Sequence, residues 1–194
     1  NNDAAIATRS RFKLNTKQEI AYRQIDLSMT IMMQGRLVEA EVNAREGLAT
    51  MLEVFNKNST EVGYALSRLT RIIGEQGRAS EAVLLAQETI KTIKAGNTAD
   101  DSFTMVLARK ILGSALVSDR KFKEADAVFE EMRQGIEKQG AVKNKLPATD
   151  LDWVIAMLKV GKAAGALDMT QEMLAAVAKQ SNFSESRLNY LQAF

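Results

Sequence analysis

The sequence contains no cysteine and no histidine, and this absence removes several kinds of chemistry. Without cysteine there is no disulfide bond and no thiol nucleophile. Without histidine the most frequent general base and a frequent metal ligand are missing. Carboxylate pairs such as Glu130 and Glu131 are adjacent in sequence, so on a helix they point apart. We therefore predict that the chain is not an enzyme and that it needs no cofactor or metal.

Proline and aromatic residues are also scarce, which indicates the fold class. The 194 residues include a single proline, 6% aromatic residues and 46% hydrophobic residues. Proline interrupts helix interiors, so its scarcity suits a chain made of packed helices. No apolar run approaches the roughly 20 residues that a membrane-spanning helix requires. The composition predicts an all-α protein without a membrane span.

Neither sign of charge dominates, and this argues against nucleic acid as a partner. Lysine and arginine total 26 and aspartate and glutamate total 24, a formal net charge of +2. The adjacent basic pairs, Arg109-Lys110 and Arg120-Lys121, are too sparse to form a basic stripe along nucleic acid. The absence of cysteine fits a reducing compartment, so we expect a cytoplasmic location, although a removed leader would leave no trace here.

One short phrase recurs along the chain at nearly constant intervals. It reads GRLVEA at residues 35–40, GRASEA at 77–82, RKFKEA at 120–125 and, more weakly, GKAAGA at 161–166. The closing alanines are separated by 42, 43 and 41 residues. A fixed period of this length is typical of a stacked helical repeat array.

The helix signals divide the chain into three parts. A capping box, Thr16 followed by Glu19, predicts the start of the first clear helix, and Ile20, Leu27 and Ile31 then recur on one face. We expect residues 1–15 to be an N-terminal segment or the end of a preceding helix. Residues 16–183 are expected to form about four helix pairs, and residues 184–194 the start of a further helix that continues in a longer protein.

The aligned units resemble the tetratricopeptide repeat. The column of large apolar residues in the first helix holds Leu27, Leu69, Leu112 and Trp153; the column four residues later holds Ile31, Ile73, Leu116 and Met157; and the small residues that open the second helix are Ala40, Ala82, Ala125 and Ala166. The period of about 42 residues is similar to that of the long kinesin-light-chain type. The resemblance implies a right-handed α-solenoid of antiparallel helix pairs with one concave surface.

In that family the first helices line a concave groove that binds partner proteins. The resemblance places these residues in the groove: Tyr22, Ile25, Met29, Tyr64, Ser67, Arg68, Arg71, Leu107, Lys110, Ser114, Leu151 and Ile155. Tyrosines beside Arg68, Arg71 and Lys110 would suit an acidic peptide, because arginine pairs with carboxylates. The alternative is that these are ordinary solvated charges, and that the Met29, Met32 and Met33 cluster fills the core.

Two interpretations of function follow. The first is a non-catalytic interaction module that binds a protein or peptide, possibly an acidic one, through Tyr22, Met29, Tyr64, Arg68, Arg71 and Lys110. The second is a scaffold that self-associates, or docks within a larger protein, through the apolar segment 184–194. The resemblance also extends to repeats attached to effector domains, such as caspase-like proteases or signalling ATPases, which would then lie outside this chain.

Overall fold

The fold is built from helices arranged in antiparallel pairs. The computed structural model describes residues 2–138 and 148–178, with side chains from residue 16 onward. Eight helices occur in these ranges, and no strand does: α1 Asn2–Met33, α2 Leu37–Val54, α3 Thr60–Glu75, α4 Ala79–Ala95, α5 Phe103–Ser118, α6 Phe122–Lys138, α7 Leu151–Lys159 and α8 Ala163–Ala178. Each odd-numbered helix packs on the helix that follows it, giving four units, and each unit packs on the next. This confirms the predicted all-α solenoid of helix pairs.

The start of α1 differs from the prediction. The capping box at Thr16 predicted a helix start, but α1 begins at Asn2 and runs without interruption to Met33. No glycine or proline occurs in this stretch, so nothing in the backbone chemistry stops the helix before Thr16. The predicted further helix at 184–194 lies outside the described residues.

The recurrent phrase corresponds to one backbone motif that closes the first helix of every unit. Gly35, Gly77 and Gly161 have φ of 78°, 77° and 83°, the left-handed region that glycine adopts without a steric penalty. In the first unit the N–H of Arg36 donates to the carbonyl of Ile31, and the N–H of Gly35 to that of Met32. The same two bonds recur in the other three units, so each turn is a Schellman motif. In the third unit Arg120 holds the glycine position, with φ of 62°.

Small residues let the two helices of a unit approach each other closely. Ala40, Ala44 and Gly47 lie on the buried face of α2. A Cβ atom added at Gly47 would lie 2.8 Å from Cδ1 of Ile25 in α1. A larger residue at this position would therefore push the helices apart.

Most of the predicted apolar columns form a core that continues from unit to unit. Leu69, Leu112 and Trp153 are buried, and they belong to one cluster that extends from Ile31 to Met169. The predictions for Leu27 and Ile20 were wrong, because these side chains are 50% and 47% exposed. In later units the residues of these two columns lie against the preceding unit, as Met105 does against Ile93 and Trp153 against Phe129. No unit before α1 is present among the described residues.

Charged side chains connect neighbouring units outside this core. Glu41 of α2 accepts hydrogen bonds from Nε2 of Gln76 at 3.0 Å and from Nη1 of Arg78 at 2.7 Å. Farther along, Asp126 of α6 accepts from Nε1 of Trp153 at 2.9 Å and from Nζ of Lys162 at 2.6 Å. In two of the units, the basic residue of the recurrent phrase thus contacts the preceding unit: Arg78 in the second unit and Lys162 in the fourth.

None of the helices in the described ranges is long and apolar enough to cross a membrane.

Candidate functional site

Two adjoining cavities lie along the first helices of the units. The first has a volume of about 350 Å³, and its walls include Tyr22, Tyr64 and Phe103. The second has a volume of about 530 Å³ and extends past Arg71 towards Asp152. Ser67, Arg68 and Leu107 line both cavities. Together the cavities form a single groove across α3 and α5.

Tyrosine rings form one wall of the first cavity. The ring centroids of Tyr22 and Tyr64 lie 6.1 Å apart, and Tyr22 meets Phe55 edge to face at 6.0 Å. The Oη atom of Tyr64 donates a hydrogen bond of 2.6 Å to Asp26 in α1. Burial and this hydrogen bond raise the pKa of Tyr64 against the opposing effect of Arg68. Burial, with the charge of Glu61, also raises the pKa of Tyr22, so both rings carry a neutral hydroxyl at physiological pH.

Arg68 lies at the junction of the two cavities. Its guanidinium carbon lies 4.9 Å from the centroid of the Tyr64 ring, so the aromatic face supports the side chain. The Nε atom of Arg68 is buried, and it has no hydrogen-bond partner among the residues that the structure describes. A buried N–H group without an acceptor is costly, whereas the side chain as a whole lines both cavities. Arg71, one turn further along α3, is exposed.

Carboxylates surround the basic residue at the far end of the groove. Lys110 was predicted to favour an acidic peptide together with Arg68 and Arg71, and its Nζ atom lies 2.6 Å from Oδ2 of Asp150. Oδ1 of Asp150 also accepts from the backbone N–H of Asp152 at 2.9 Å, capping α7. Burial raises the pKa of Asp152, and the charge of Asp150 adds to the effect, whereas Ser114 and Lys110 oppose it. Lys110 is therefore neutralised within the protein.

The structure brings most of the predicted groove residues together. Tyr22, Tyr64, Arg68, Arg71 and Lys110 all line the cavities, as do the following: Ser67, Leu107 and Ser114. The prediction for Ile25 was wrong, because this residue is fully buried between α1 and its neighbours.

The remaining predicted residues lie elsewhere. Met29 is half-buried against the core and lines neither cavity, and Leu151 and Ile155 are also outside both linings. Met32 fills the core, as the alternative interpretation of the methionines predicted, whereas Met33 is 82% exposed.

Several residues that shape the groove were not predicted from the sequence. Phe103, which is 41% exposed, and Glu61 both line the first cavity. Glu75, Asp150 and Asp152 line the second cavity. The positive charges of Arg68 and Arg71 therefore have carboxylates on both sides. Within the described ranges, no group of three or more potential metal ligands is close enough to hold an ion.

Comparisons with known proteins agree on the fold. No family profile matches the chain, and no curated protein matches it. Two solved structures of a putative kinesin light chain from Podosopora anserina, with nearly identical TPR-like repeats, are 16% identical to it, with TM-scores of 0.68 and 0.69. They are matched over 86% and 89% of this chain and 78% and 82% of theirs.

BtubC from P. vanneervenii is a third solved structure of similar fold. It is 18% identical, with a TM-score of 0.68, and the match covers 97% of this chain and 79% of that one. These values, together with the four helix pairs described above, confirm the predicted architecture. The chain has the fold of the kinesin-light-chain-like tetratricopeptide repeats.

Proposed function

We propose that this chain is a non-catalytic interaction module that binds an extended peptide segment of a partner protein in the groove across α3 and α5. The observation that carries the proposal is Arg68, which lines both cavities and forms no ion pair with a carboxylate of the described chain. The absence of histidine and cysteine supports a binding function rather than catalysis. The repeat architecture supports a protein as the partner, because solenoids present extended binding surfaces.

The chemistry of the groove indicates what the peptide contains. The first cavity is walled by Tyr22, Tyr64 and Phe103, so it suits an apolar or aromatic side chain. A carboxylate of the peptide would pair with Arg68 and Arg71, the two cations of the groove that no carboxylate of the described chain neutralises. Because Glu61 and Asp152 lie on either side, we expect one or two acidic residues rather than a long acidic tract.

A peptide selection tests this proposal. A random peptide library is selected on the immobilised 194-residue chain, and the peptides are measured by fluorescence polarisation. We expect the selected peptides to bind the Arg68→Ala/Arg71→Ala variant roughly 10- to 100-fold more weakly than the wild type, because one or two charge-assisted hydrogen bonds are lost. The matched control is Lys91→Ala/Lys123→Ala, which removes two exposed positive charges from α4 and α6. Equal binding by both variants would place the site elsewhere.

A further inference from the structure

The first unit exposes apolar side chains at positions that are buried between units elsewhere in the chain. Ile20 and Leu27 lie seven residues apart on one face of α1 and are 47% and 50% exposed. The residues in the same columns of later units are almost fully buried: Val62 2%, Leu69 1%, Met105 0%, Leu112 8% and Trp153 0%. The face of α1 therefore has the chemistry of a contact between units, and no described residue covers it.

The structure shows what covers this face in the internal units. Val62 of α3 packs in one cluster with Met51 of α2, and Leu48 lies against the same cluster. Met105 of α5 packs in the same way with Ile93 of α4, and Ile90 lies against it. In the Leu27 column, Trp153 stacks on Phe129 of α6 and donates a hydrogen bond to Asp126 of the same helix. In both columns the covering surface is thus the second helix of the preceding unit. In the Ile20 column its contacting residues lie 8 and 11 positions after the alanine that closes the recurrent phrase.

The last described helix, α8, presents that same surface. Leu174 and Val177 are its residues 8 and 11 positions after Ala166, and both are half-buried. Leu167 is 59% exposed. It directly follows the alanine that closes the recurrent phrase, as Glu41 and Asp126 do in their units, and those two carboxylates contact the following unit. At this position α8 has an apolar residue in place of a carboxylate. Its surface therefore complements the apolar face of α1.

We propose that copies of this chain associate head to tail, with α8 of one copy packing on the Ile20 and Leu27 face of α1 in the next copy. The contact continues the interface that already joins α2 to α3 and α4 to α5, and it uses residues in the same columns. Because the two surfaces are different, the contact is heterologous, and each added copy presents both surfaces again. The assembly is therefore an open chain or a ring of copies rather than a symmetric dimer.

Two single substitutions, one at each end, test the proposal. Sedimentation equilibrium of the 194-residue chain should show a mass that rises with concentration beyond that of a dimer. Leu27→Glu and Leu167→Glu should each reduce the association constant by roughly tenfold or more, because each places a charge in an apolar contact. Both side chains are at least half exposed, so the variants should fold. The control is Leu84→Glu, at a residue of α4 that is 65% exposed and outside both surfaces; it should associate like the wild type.

Mixing the two variants distinguishes this arrangement from the others. Leu27→Glu keeps an intact α8 and Leu167→Glu keeps an intact α1 face, so an equimolar mixture should form a one-to-one complex and no larger species. A wild-type chain that stays monomeric, as it would if residues 184–194 of the same chain covered α8, would overturn the proposal. A symmetric dimer that Leu167→Glu leaves intact would also overturn it.

Discussion

Tyr64 donates a hydrogen bond of 2.6 Å to the carboxylate of Asp26, so a side chain of the second unit is fixed by the first unit. Replacing Tyr64 by phenylalanine keeps the ring beside Tyr22 but removes this bond. We expect a loss of about 1 kcal/mol in the free energy of unfolding at pH 7. Tyr22→Phe is the control, because no residue of the described chain accepts a hydrogen bond from its hydroxyl, and it should cost less.

The same variant changes how stability depends on alkaline pH. The pKa of Tyr64 is raised above its ordinary value of 10.0, so the folded state favours the neutral hydroxyl. Its contribution is present below pH 10 and is lost as the pH rises through the raised pKa. Urea unfolding between about pH 9 and pH 12 should show a shallower decline for Tyr64→Phe than for the wild type. Parallel curves would mean that Tyr64 ionises alike in the folded and unfolded chains.

Glu41 should contribute to stability at neutral pH and lose that contribution in acid. Burial alone would raise its pKa, but hydrogen bonds from Arg45 and Gln76 and the charges of Arg45 and Arg78 outweigh it and lower the pKa. Its contribution is therefore present above the unfolded pKa and is lost as the pH falls through the lower folded value. Glu41→Gln should cost about 1 kcal/mol near pH 7, measured by urea unfolding. The difference from the wild type should disappear in acid.

A control for Glu41 lies on the same helix. Glu39 pairs with Arg36 at 2.5 Å, within one unit and at an exposed position. Such local pairs contribute only about 0.2 to 0.5 kcal/mol. Glu39→Gln should therefore destabilise the chain less than Glu41→Gln does. Equal losses would show that the contact between units adds nothing beyond local pairing.

Asp126 should contribute to stability chiefly because it accepts the hydrogen bond of the Trp153 indole N–H. This indole is fully buried and stacks on Phe129 with centroids 5.8 Å apart, and its Nε1–H has Asp126 as acceptor at 2.9 Å. Asp126→Ala leaves that donor without a partner and should cost about 1 to 3 kcal/mol of unfolding free energy. Asp126→Asn keeps an acceptor oxygen but loses the charge that Lys162 contacts, so it should cost less. Equal losses for the two variants would make the ion pair with Lys162 the dominant interaction.

The architecture could be predicted from the sequence because residues of the same type take the same structural role in each unit. The phrase at 35–40 has a glycine that closes one helix and an alanine that packs the next, and both functions hold in the structure. Leu27 was assigned wrongly because a column identifies the kind of residue but not whether a neighbouring unit is there to cover it.

Contacts between the units were harder to foresee, although the sequence carried a signal. Lys110 and Asp150 are 40 residues apart, and Glu41 and Arg78 are 37 residues apart, both slightly less than one period. A search for opposite charges at that separation would have shown that Lys110 is paired. Most of the predicted groove residues line the two cavities, but Lys110 is paired with Asp150 and adds no free positive charge there. Phe103 was missed because it is the first residue of α5, whereas the predicted columns identify residues further along the helix.

Arg120 should be replaceable by glycine with a gain in stability. It holds the turn position that is glycine in the other three units, and its φ of 62° lies in the left-handed region that side chains disfavour. Arg120 is exposed and makes no hydrogen bond or ion pair through its side chain with the described residues, so its replacement loses no contact. Relief of the backbone strain should exceed the cost of the added conformational entropy of glycine in the unfolded chain. Arg120→Gly should therefore gain about 0.5 to 1 kcal/mol in the free energy of unfolding, measured with urea.

The reverse change, Gly77→Arg, puts a side chain on a backbone with φ of 77° and should cost about 1 to 2 kcal/mol. Lys121→Gly, one residue beyond the turn, should destabilise the chain, because that position gains flexibility and loses the ion pair of Lys121 with Asp119 at 2.9 Å. If Arg120→Gly destabilised the chain to the same extent as Lys121→Gly, the left-handed conformation in the third unit would carry no strain.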